Sequence, residues 1–321
     1  MSTRFYKFGH FIPDQRITNQ LLAERFGITE AWIEERTGII ERRYYTEGAT
    51  SDMIVAAVNN SGLTQADLEE LDCIIIATMT PDHNCPSTAA LVQRKLNINH
   101  CFAFDIMAAC SGFVYALTLA DSLLISGKYK NILVAGADKF STIIDHEDRK
   151  TALIFADGAG FCYLKSDGAL TQIKDTLCRL DSTLCHSVLI PNGGSAKPLD
   201  ELSFAEQEHF LRFTDKKVFE GGIVLFEEAI TAVLAKNQLT IADIDLIVPH
   251  QANKRMIEAL AKRMQIPIEK FFINIEYIGN TSAATIPIAL SEANEQGKLK
   301  GNVLLASVGA GFTYGAGLLE F

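Results

Sequence analysis

The stretch Phe102-Ala-Phe-Asp-Ile-Met-Ala-Ala-Cys110-Ser-Gly-Phe113, followed by an apolar run to Leu123-Leu-Ile-Ser-Gly127, joins two local patterns at one cysteine. The segment Cys101 to Phe104 is short and apolar, as a buried strand is. Residues 111 to 126 have helical length, and Gly127 stands where a helix C-terminus favours glycine. Apolar residues occur nearly all round this helix, which marks it as buried. A buried strand feeding a buried helix belongs to an α/β architecture. Cys110 sits where the strand and its loop give way to the helix N-terminus. Unpaired backbone N–H groups and the positive end of the helix dipole there favour a thiolate. The plainer reading is a small buried hydrophobe, and local context does not separate the two.

The chain has 321 residues, 48% hydrophobic and 21% charged, enough for two domains or one large one. Its seven cysteines are odd in number and lack close pairs, so a reducing, cytoplasmic setting fits better than a disulfide framework. Cys178, Cys185 and His186 lie near each other in sequence without metal-ligand spacing, and no metal is expected. The N-terminal residues lack a signal-peptide core. The apolar run Val303 to Leu319 is broken by Gly309, Gly311, Gly315 and Gly317, which suits strand–turn–strand and not a membrane span. A net charge of −10 argues against nucleic acid as a partner.

Either Thr18 or Asn19 can cap a helix to Phe26, and a second short helix runs from Thr29 to Arg36, ended by Gly38. Asp72 to Thr78 is a buried strand, Ser87 opens a helix to about Leu96, and Asn131 to Gly136 is a further strand. Residues 152 to 165 read as a strand pair turning at Asp157-Gly-Ala-Gly160. The second half repeats the plan. Asp72 before its strand matches Asp245, Asn131-Ile-Leu-Val matches Asn302-Val-Leu-Leu, and Gly158-Ala-Gly matches Gly315-Ala-Gly. A period of about half the chain means a duplicated domain, not a solenoid. The join is expected near residues 166 to 172, giving halves 1–170 and 171–321. Residues 176 to 215 read as an irregular insertion over a surface or cleft.

Two further polar groups occupy the place of Cys110 in other strand–loop–helix units. His250 follows the strand Asp245 to Pro249, and Asn253 can cap the next helix. Phe271 to Ile275 reads as a strand leading to Asn280 and an apolar helix. Alone, His250 is a core or loop histidine and Asn280 a turn residue. Together with Cys110 they suggest covalent acyl transfer, with a neutral imidazole and an amide able to bind a carbonyl oxygen as it becomes an enolate.

These residues resemble the β-ketoacyl-acyl-carrier-protein synthase III family of the thiolase-like superfamily. The resemblance covers essentially the whole chain. It rests on Trp32 with Arg36-Thr-Gly38, Ala109-Cys110-Ser-Gly-Phe113, Asp148-Arg149, Asp157-Gly-Ala-Gly160, Val248-Pro-His-Gln-Ala-Asn253, Gly279-Asn280-Thr-Ser-Ala-Ala284 and Gly309-Ala-Gly-Phe-Thr313. It implies an α/β thiolase-like duplicated αβαβα layered fold, in two similar halves with mixed five-stranded sheets. It implies decarboxylative Claisen condensation of an acyl-CoA primer with malonyl-acyl-carrier protein, the opening step of type II fatty-acid synthesis. Cys110 would carry the acyl group, His250 and Asn280 would hold the malonyl thioester oxygen, and the N–H groups of Cys110 and Ala310 would form the oxyanion hole. No cofactor or metal is implied, and a cytoplasmic homodimer is. The residues matching Trp32 and Arg149 hold the CoA adenine, and those matching Arg36, Phe219 and Asn253 line the pantetheine channel. Trp32 and Arg36, four residues apart, share one helix face.

An acidic carrier needs a basic landing site, which Lys216, Lys217, Lys254, Arg255, Lys262 and Arg263 provide; the plainer reading is a solvated face. Cys85 and Phe312 fall at acyl-pocket positions. Cys85 stands where acetyl-selective members carry a Phe that reaches the partner subunit, so a roomier pocket and a longer or branched primer are expected. Asp215 replaces a usual Gly. Two alternatives remain open at this point. One is the same fold in a specialised natural-product pathway with an unusual acyl group. The other is a structural heterodimer subunit, which predicts a lost catalytic residue, and none is lost. A hydroxymethylglutaryl-CoA synthase would need a carboxylate base near Cys110, and the sequence offers no clear one.

Overall fold

Each apolar sheet face and helix stripe in this chain finds its partner in a neighbouring layer. A computed structural model describes residues 3–166, 172–214 and 217–321. The expected boundary at 170/171, Asp215 and Lys216 lie outside the described residues.

The first half opens with β1 (Arg4–Phe11), β2 (Gln15–Thr18), α1 (Asn19–Phe26), α2 (Glu30–Thr37) and β3 (Glu41–Tyr44). Thr18 and Thr29 cap the two helices through their hydroxyl oxygens, and Gly27 and Gly38 end them in the left-handed region. Next come α3 (Thr50–Asn60), α4 (Gln65–Glu69), β4 (Cys73–Ala77), α5 (Thr88–Lys95, capped by Ser87), β5 (Phe102–Ile106), α6 (Gly112–Ile125), β6 (Asn131–Lys139), α7 (Arg149–Ala152) and β7 (Asp157–Lys165). The second half runs β8 (Ile173–Leu180), β9 (Val188–Leu189), α8 (Glu201–Ala205), β10 (Arg212–Phe213), α9 (Val218–Lys236), β11 (Leu246–Pro249), α10 (Lys254–Met264), α11 (Ile275–Ile278), α12 (Thr285–Glu295), β12 (Asn302–Gly309) and β13 (Thr313–Glu320).

The first sheet has the order β1-β7-β6-β4-β5, antiparallel across β1, β7 and β6 and parallel across β6, β4 and β5. The second has the order β8-β13-β12-β11 with the same pattern of directions. The matched pairs β4/β11, β6/β12 and β7/β13 are those read from the sequence repeat. Helices α6 and α12 fill the space between the sheets, with Phe113, Leu117, Leu124, Ile286 and Leu290 packed against Ile75, Val134, Val303 and Leu305. Helices α3 and α5 cover the outer face of the first sheet, and α9 and α10 that of the second. The result is the αβαβα layering.

Three sequence expectations change. The strand over 271–275 shrinks to one parallel bridge between Phe271 and Ile247, in the place that β5 holds in the first sheet. The Gln251 side chain takes the backbone groups that a ladder would use: its Nε2 donates to Phe272 O at 2.8 Å, and its Oε1 accepts from Asn274 N. The strand pair over 152–165 is instead α7 and one strand. Gly158 and Gly160 sit inside β7 because α12 crosses there, and a Cβ on Gly160 would fall 2.5 Å from Ile288 N. The insertion begins later than 176, since residues up to Leu180 belong to β8.

The Gly160 contact makes a prediction. Gly160→Ala forces backbone against backbone, where overpacking typically costs about 1–3 kcal/mol or more. Its urea unfolding midpoint should drop accordingly, whereas Gly194→Ala, with open space around its Cβ direction and no positive φ, serves as the mild control.

Candidate active site

Cys110 lies in a three-residue turn, Ala109–Ser111, between β5 and α6. Ala109 has φ +46°, a strained conformation for a residue with a Cβ. The turn is fastened to the second half. Ser111 Oγ donates to Thr313 O at 3.0 Å, and Thr313 Oγ1 donates to Ala108 O at 2.8 Å. A Cβ on Gly309 would lie 2.7 Å from Cys110 N, so the chain at 309 must be glycine for β12 to reach the nucleophile.

The helix-terminus argument from the sequence anticipated a thiolate. Burial outweighs it: desolvation pushes the Cys110 thiol up to about 12, opposed by a hydrogen bond from Ser282 and reinforced by the charge of Asp138. The thiol is therefore the resting form at neutral pH. Ser282 Oγ donates to Cys110 Sγ at 3.4 Å. A carboxylate that the sequence reading did not single out, Asp138, acts on Cys110 through its charge. It is fully buried at the end of β6, beyond Gly136 where the sequence reading stopped. Oδ1 accepts from Met79 N at 2.8 Å, Thr80 N at 3.2 Å and the hydroxyls of Thr78 and Thr80, and Oδ2 accepts from Ala283 N at 3.2 Å. Desolvation raises its pKa to about 6 against those bonds.

His250 leaves the end of β11 with 1% of its surface exposed. Its N–H donates to Ala306 O at 2.7 Å, and its Nδ1 lies 2.7 Å from Thr285 Oγ1. Burial depresses its pKa from the ordinary 6.5 to about 3, partly offset by the Ser282 carbonyl. The ring is neutral at pH 7. Asn280 is fixed at both ends of its peptide unit: its N–H donates to Ile154 O at 3.0 Å, and its carbonyl accepts from Ala156 N at 2.9 Å. Its side chain is oriented too. Oδ1 accepts from Ser282 N at 2.8 Å, so Nδ2 is the donor end; it reaches Ala252 O at 3.3 Å and keeps a second hydrogen for the cavity.

Cys110, His250 and Asn280 line one cavity of about 530 Å³, together with Ala310, Phe312, Phe219 and Asn253. An apolar arm is formed by Met79, Phe140, Phe155, Val188, Leu211 and Phe213, none of which the sequence singled out. Phe140 stacks on Phe155 at 4.4 Å between centroids. Lys150 is the one Lys, Arg, Asp or Glu among the described lining residues. Trp32 is half-buried between two guanidinium groups, Arg36 at 4.0 Å and Arg149 at 5.6 Å from its ring. Asn253 joins them to the cavity by donating to Arg36 O at 3.1 Å. Cys85 is exposed and does not line this chain's cavity. On α10, Lys254 pairs with Glu276 at 3.1 Å and Arg263 with Glu227, while Arg255 and Lys262 are exposed. Lys217 precedes α9. Among the described residues no group of three or more His, Cys, Asp or Glu could hold a metal ion, and no helix is long and apolar enough to cross a membrane.

A thiol nucleophile, two neutral N–H donors and a dry apolar arm together suit thioester chemistry through an enolate. Comparison with known proteins leads the same way. Residues 104–182 match the family model of 3-oxoacyl-[acyl-carrier-protein] synthase III, and residues 234–321 match the model of its C-terminal part. The chain is 42% identical to a β-ketoacyl-[acyl-carrier-protein] synthase III of Koribacter versatilis, covering 98% of this chain and 96% of that one. It is 41% identical to the protein of the same description from Aquifex aeolicus, covering 100% of both. The crystal structure of 3-oxoacyl-[acyl-carrier-protein] synthase III from Aquifex aeolicus superposes with a TM-score of 0.89 at 39% identity, covering 100% of both chains.

The buried neutral imidazole makes folding sensitive to acid. Between pH 6.5 and about 3 the unfolded state binds a proton at His250 that the native state refuses, so stability rises with pH across that window and is lost as pH falls. Relative to His250→Gln, the wild type should lose stability on acidification with a slope approaching about 1.4 kcal/mol per pH unit. Urea midpoints measured from pH 7 to 5 check this; parallel curves for the two proteins contradict it.

Proposed function

Because the chain belongs to the β-ketoacyl-acyl-carrier-protein synthase III family of acyl-transferring condensing enzymes, we propose that it joins an acyl-CoA primer to malonyl-acyl-carrier protein through an acyl-Cys110 thioester. Cys110 sulfur attacks the primer's thioester carbonyl, the bond to the CoA sulfur breaks, and the thiol proton of Cys110 passes to that sulfur, so that CoA leaves as its thiol. The malonyl thioester then enters with its carbonyl oxygen between His250 Nε2 and Asn280 Nδ2. The bond to its carboxylate breaks, CO₂ departs, and the electron pair becomes an enolate held by the two donors. The enolate carbon attacks the acyl-Cys110 carbonyl, the tetrahedral oxygen resting on the N–H groups of Cys110 and Ala310. Collapse expels Cys110 and leaves a β-ketoacyl-acyl-carrier protein. The observation that carries this reading is the meeting of Cys110, His250 and Asn280 around one cavity, with both donors neutral.

The clamp of Arg36 and Arg149 on Trp32 supports a nucleotide site for CoA at the cavity mouth, with Phe219 and Asn253 along the pantetheine path. Of the basic residues offered to the carrier, Arg255, Lys262 and Arg263 are exposed on α10, and Arg263, like Lys254, is paired with an acid. A homodimer is supported by β5, the outer strand of its sheet: its first residue Phe102 is 48% exposed, and Met107, just past its end, is 76% exposed. An apolar open edge needs covering, and a second β5 is its natural complement. In this assembly Cys85 would reach the partner's cavity, and Phe312 the acyl pocket of its own chain. Seven free cysteines support a reducing cytoplasmic setting.

Intact-mass measurement after exposure to a panel of acyl-CoAs should show one acyl adduct, absent in Cys110→Ala. Loading that persists in that variant, or no loading by any acyl-CoA, overturns the mechanism. His250→Ala and Asn280→Ala should still take the acyl group yet lose decarboxylation of malonyl-carrier by about 10²-fold or more. Phe102→Glu combined with Met107→Asp should halve the mass seen by sedimentation; an unchanged mass would remove β5 from the interface.

A further inference from the structure

Ser282 Oγ donates to Cys110 Sγ at 3.4 Å, the one side-chain hydrogen bond to that sulfur among the described residues. Ser282 is fully buried and stands at φ +54°, a conformation that a residue with a Cβ keeps only where its surroundings compel it. The compulsion comes from bonds on the backbone. Ser282 N donates to Asn280 Oδ1 at 2.8 Å, Ser282 O accepts from Thr285 Oγ1 at 2.9 Å, and Ala283 N donates to Asp138 Oδ2 at 3.2 Å. A strained residue of the second half is thus held so that its hydroxyl points at the nucleophile of the first. A resting thiol has little use for such a donor, because its sulfur accepts weakly. The bond strengthens as the sulfur takes on charge.

We propose that Ser282 is a further catalytic residue, whose hydroxyl stabilises the negative charge that gathers on Cys110 Sγ as the thiol proton departs. The proposal rests on the reading of Cys110 as the acyl-accepting nucleophile. No proton leaves Ser282: its O–H bond stays intact while the Cys110 proton passes to the departing CoA sulfur. Asp138 is the other acceptor within reach of this hydroxyl, and it already accepts five hydrogen bonds, so the sulfur has the greater need of the donor. Burial and the charge of Asp138 both work against a thiolate, and Ser282 is the one side chain that works for it. A donor fixed before the reaction needs no reorganisation as charge develops, which is where a preorganised hydrogen bond is worth most.

The test uses the full-length protein with Ser282→Ala, which removes only the hydroxyl, and Ser282→Gly, which also suits the positive φ and so folds even if the alanine variant does not. Both keep the backbone N–H that holds Asn280. Alkylation of Cys110 by iodoacetamide, followed by fragment-ion mapping that separates it from Cys101, reads the reactivity of the sulfur without any acyl donor. Losing one hydrogen bond to a charged group lowers the thiolate population by about 10-fold, and the more basic sulfur regains part of that as nucleophilicity. The alkylation rate from pH 7.5 to 9.5, and the rate of acyl loading from acyl-CoA followed by intact mass, should each fall about 3- to 10-fold in both variants. Once loaded to completion, the variants should release CO₂ from malonyl-carrier in a single turnover at close to the wild-type rate, because His250 and Asn280 are untouched. Alkylation at the wild-type rate in the variants overturns the proposal. So does an equal fall in loading and CO₂ release, which marks a structural role. A wild type that loads no acyl group defeats the functional reading instead, and the alkylation rates still report on the Ser282 contact.

Discussion

The close seating of residues 282–285 on β6 is the constraint from which the site follows. Gly136 permits it: a Cβ there would stand 2.2 Å from Ala283 O. Asp138, two residues on, then takes the Ala283 N–H along with the amides and hydroxyls at the end of β4. A buried carboxylate is costly unless its lone pairs are filled, and here five donors fill them. The same knot therefore stiffens the first sheet and fixes a turn of the second half against Cys110. Ser282, at φ +54°, is held in a conformation that local preference disfavours, and the surrounding bonds impose it. Cys110 from one half and His250 and Asn280 from the other meet because this seam is tight.

That tightness also sets the electrostatics. The groups at the base of the cavity are deeply buried, so each ionisable one there is driven toward its neutral form. Cys110 is held as a thiol and His250 as a neutral imidazole, and desolvation dominates both shifts. A charged imidazole would bind the malonyl carboxylate and hinder its departure. A neutral donor instead gains strength as charge moves onto the thioester oxygen. The cost is an unreactive resting thiol, whose proton the proposed acylation would remove as the carbon–sulfur bond forms. Ser282, bonded to the sulfur, is the nearest polar group to that proton.

Much of this was legible in the chain. Strand and helix periodicity, the caps at Thr18, Thr29 and Asn253, and the half-chain repeat led to the paired sheets and the central helices, because each depends on local pattern. Cys110, His250 and Asn280 stood out because each is a polar residue at a strand–loop–helix exit. What stayed hidden depends on contacts between distant segments. Phe271 looked like a strand start, and only the reach of the Gln251 side chain explains why the ladder stops. Gly158 and Gly160 looked like a turn, and only the crossing of α12 makes them strand glycines. Asp138 lay one alternation past the point where β6 seemed to end. Ser282 and Thr285 sat at or beside the Gly279-Asn280 motif as ordinary cap-like residues, with nothing local to say which atoms they would face.

The division between repeated and unrepeated sequence carries into function. The groups proposed for bond making come from strand exits that the two halves share. The apolar arm draws Val188, Leu211 and Phe213 from the segment that the repeat does not contain. That segment is fastened both within itself and to the first half. Asn192 Nδ2 donates to Ser203 Oγ and to Glu208, Leu211 N donates to Ile143 O at 2.8 Å, and Arg212 pairs with Asp145 at 3.1 Å. Phe213 stacks on Phe155, which stacks on Phe140, so the insertion completes a wall that the first half begins. Side chains at 188, 211 and 213 can therefore change the arm's length without disturbing Asp138 or the turn that it holds. On the proposed function, acyl preference is separable from catalysis because the apolar arm and the polar groups are built from different parts of the chain.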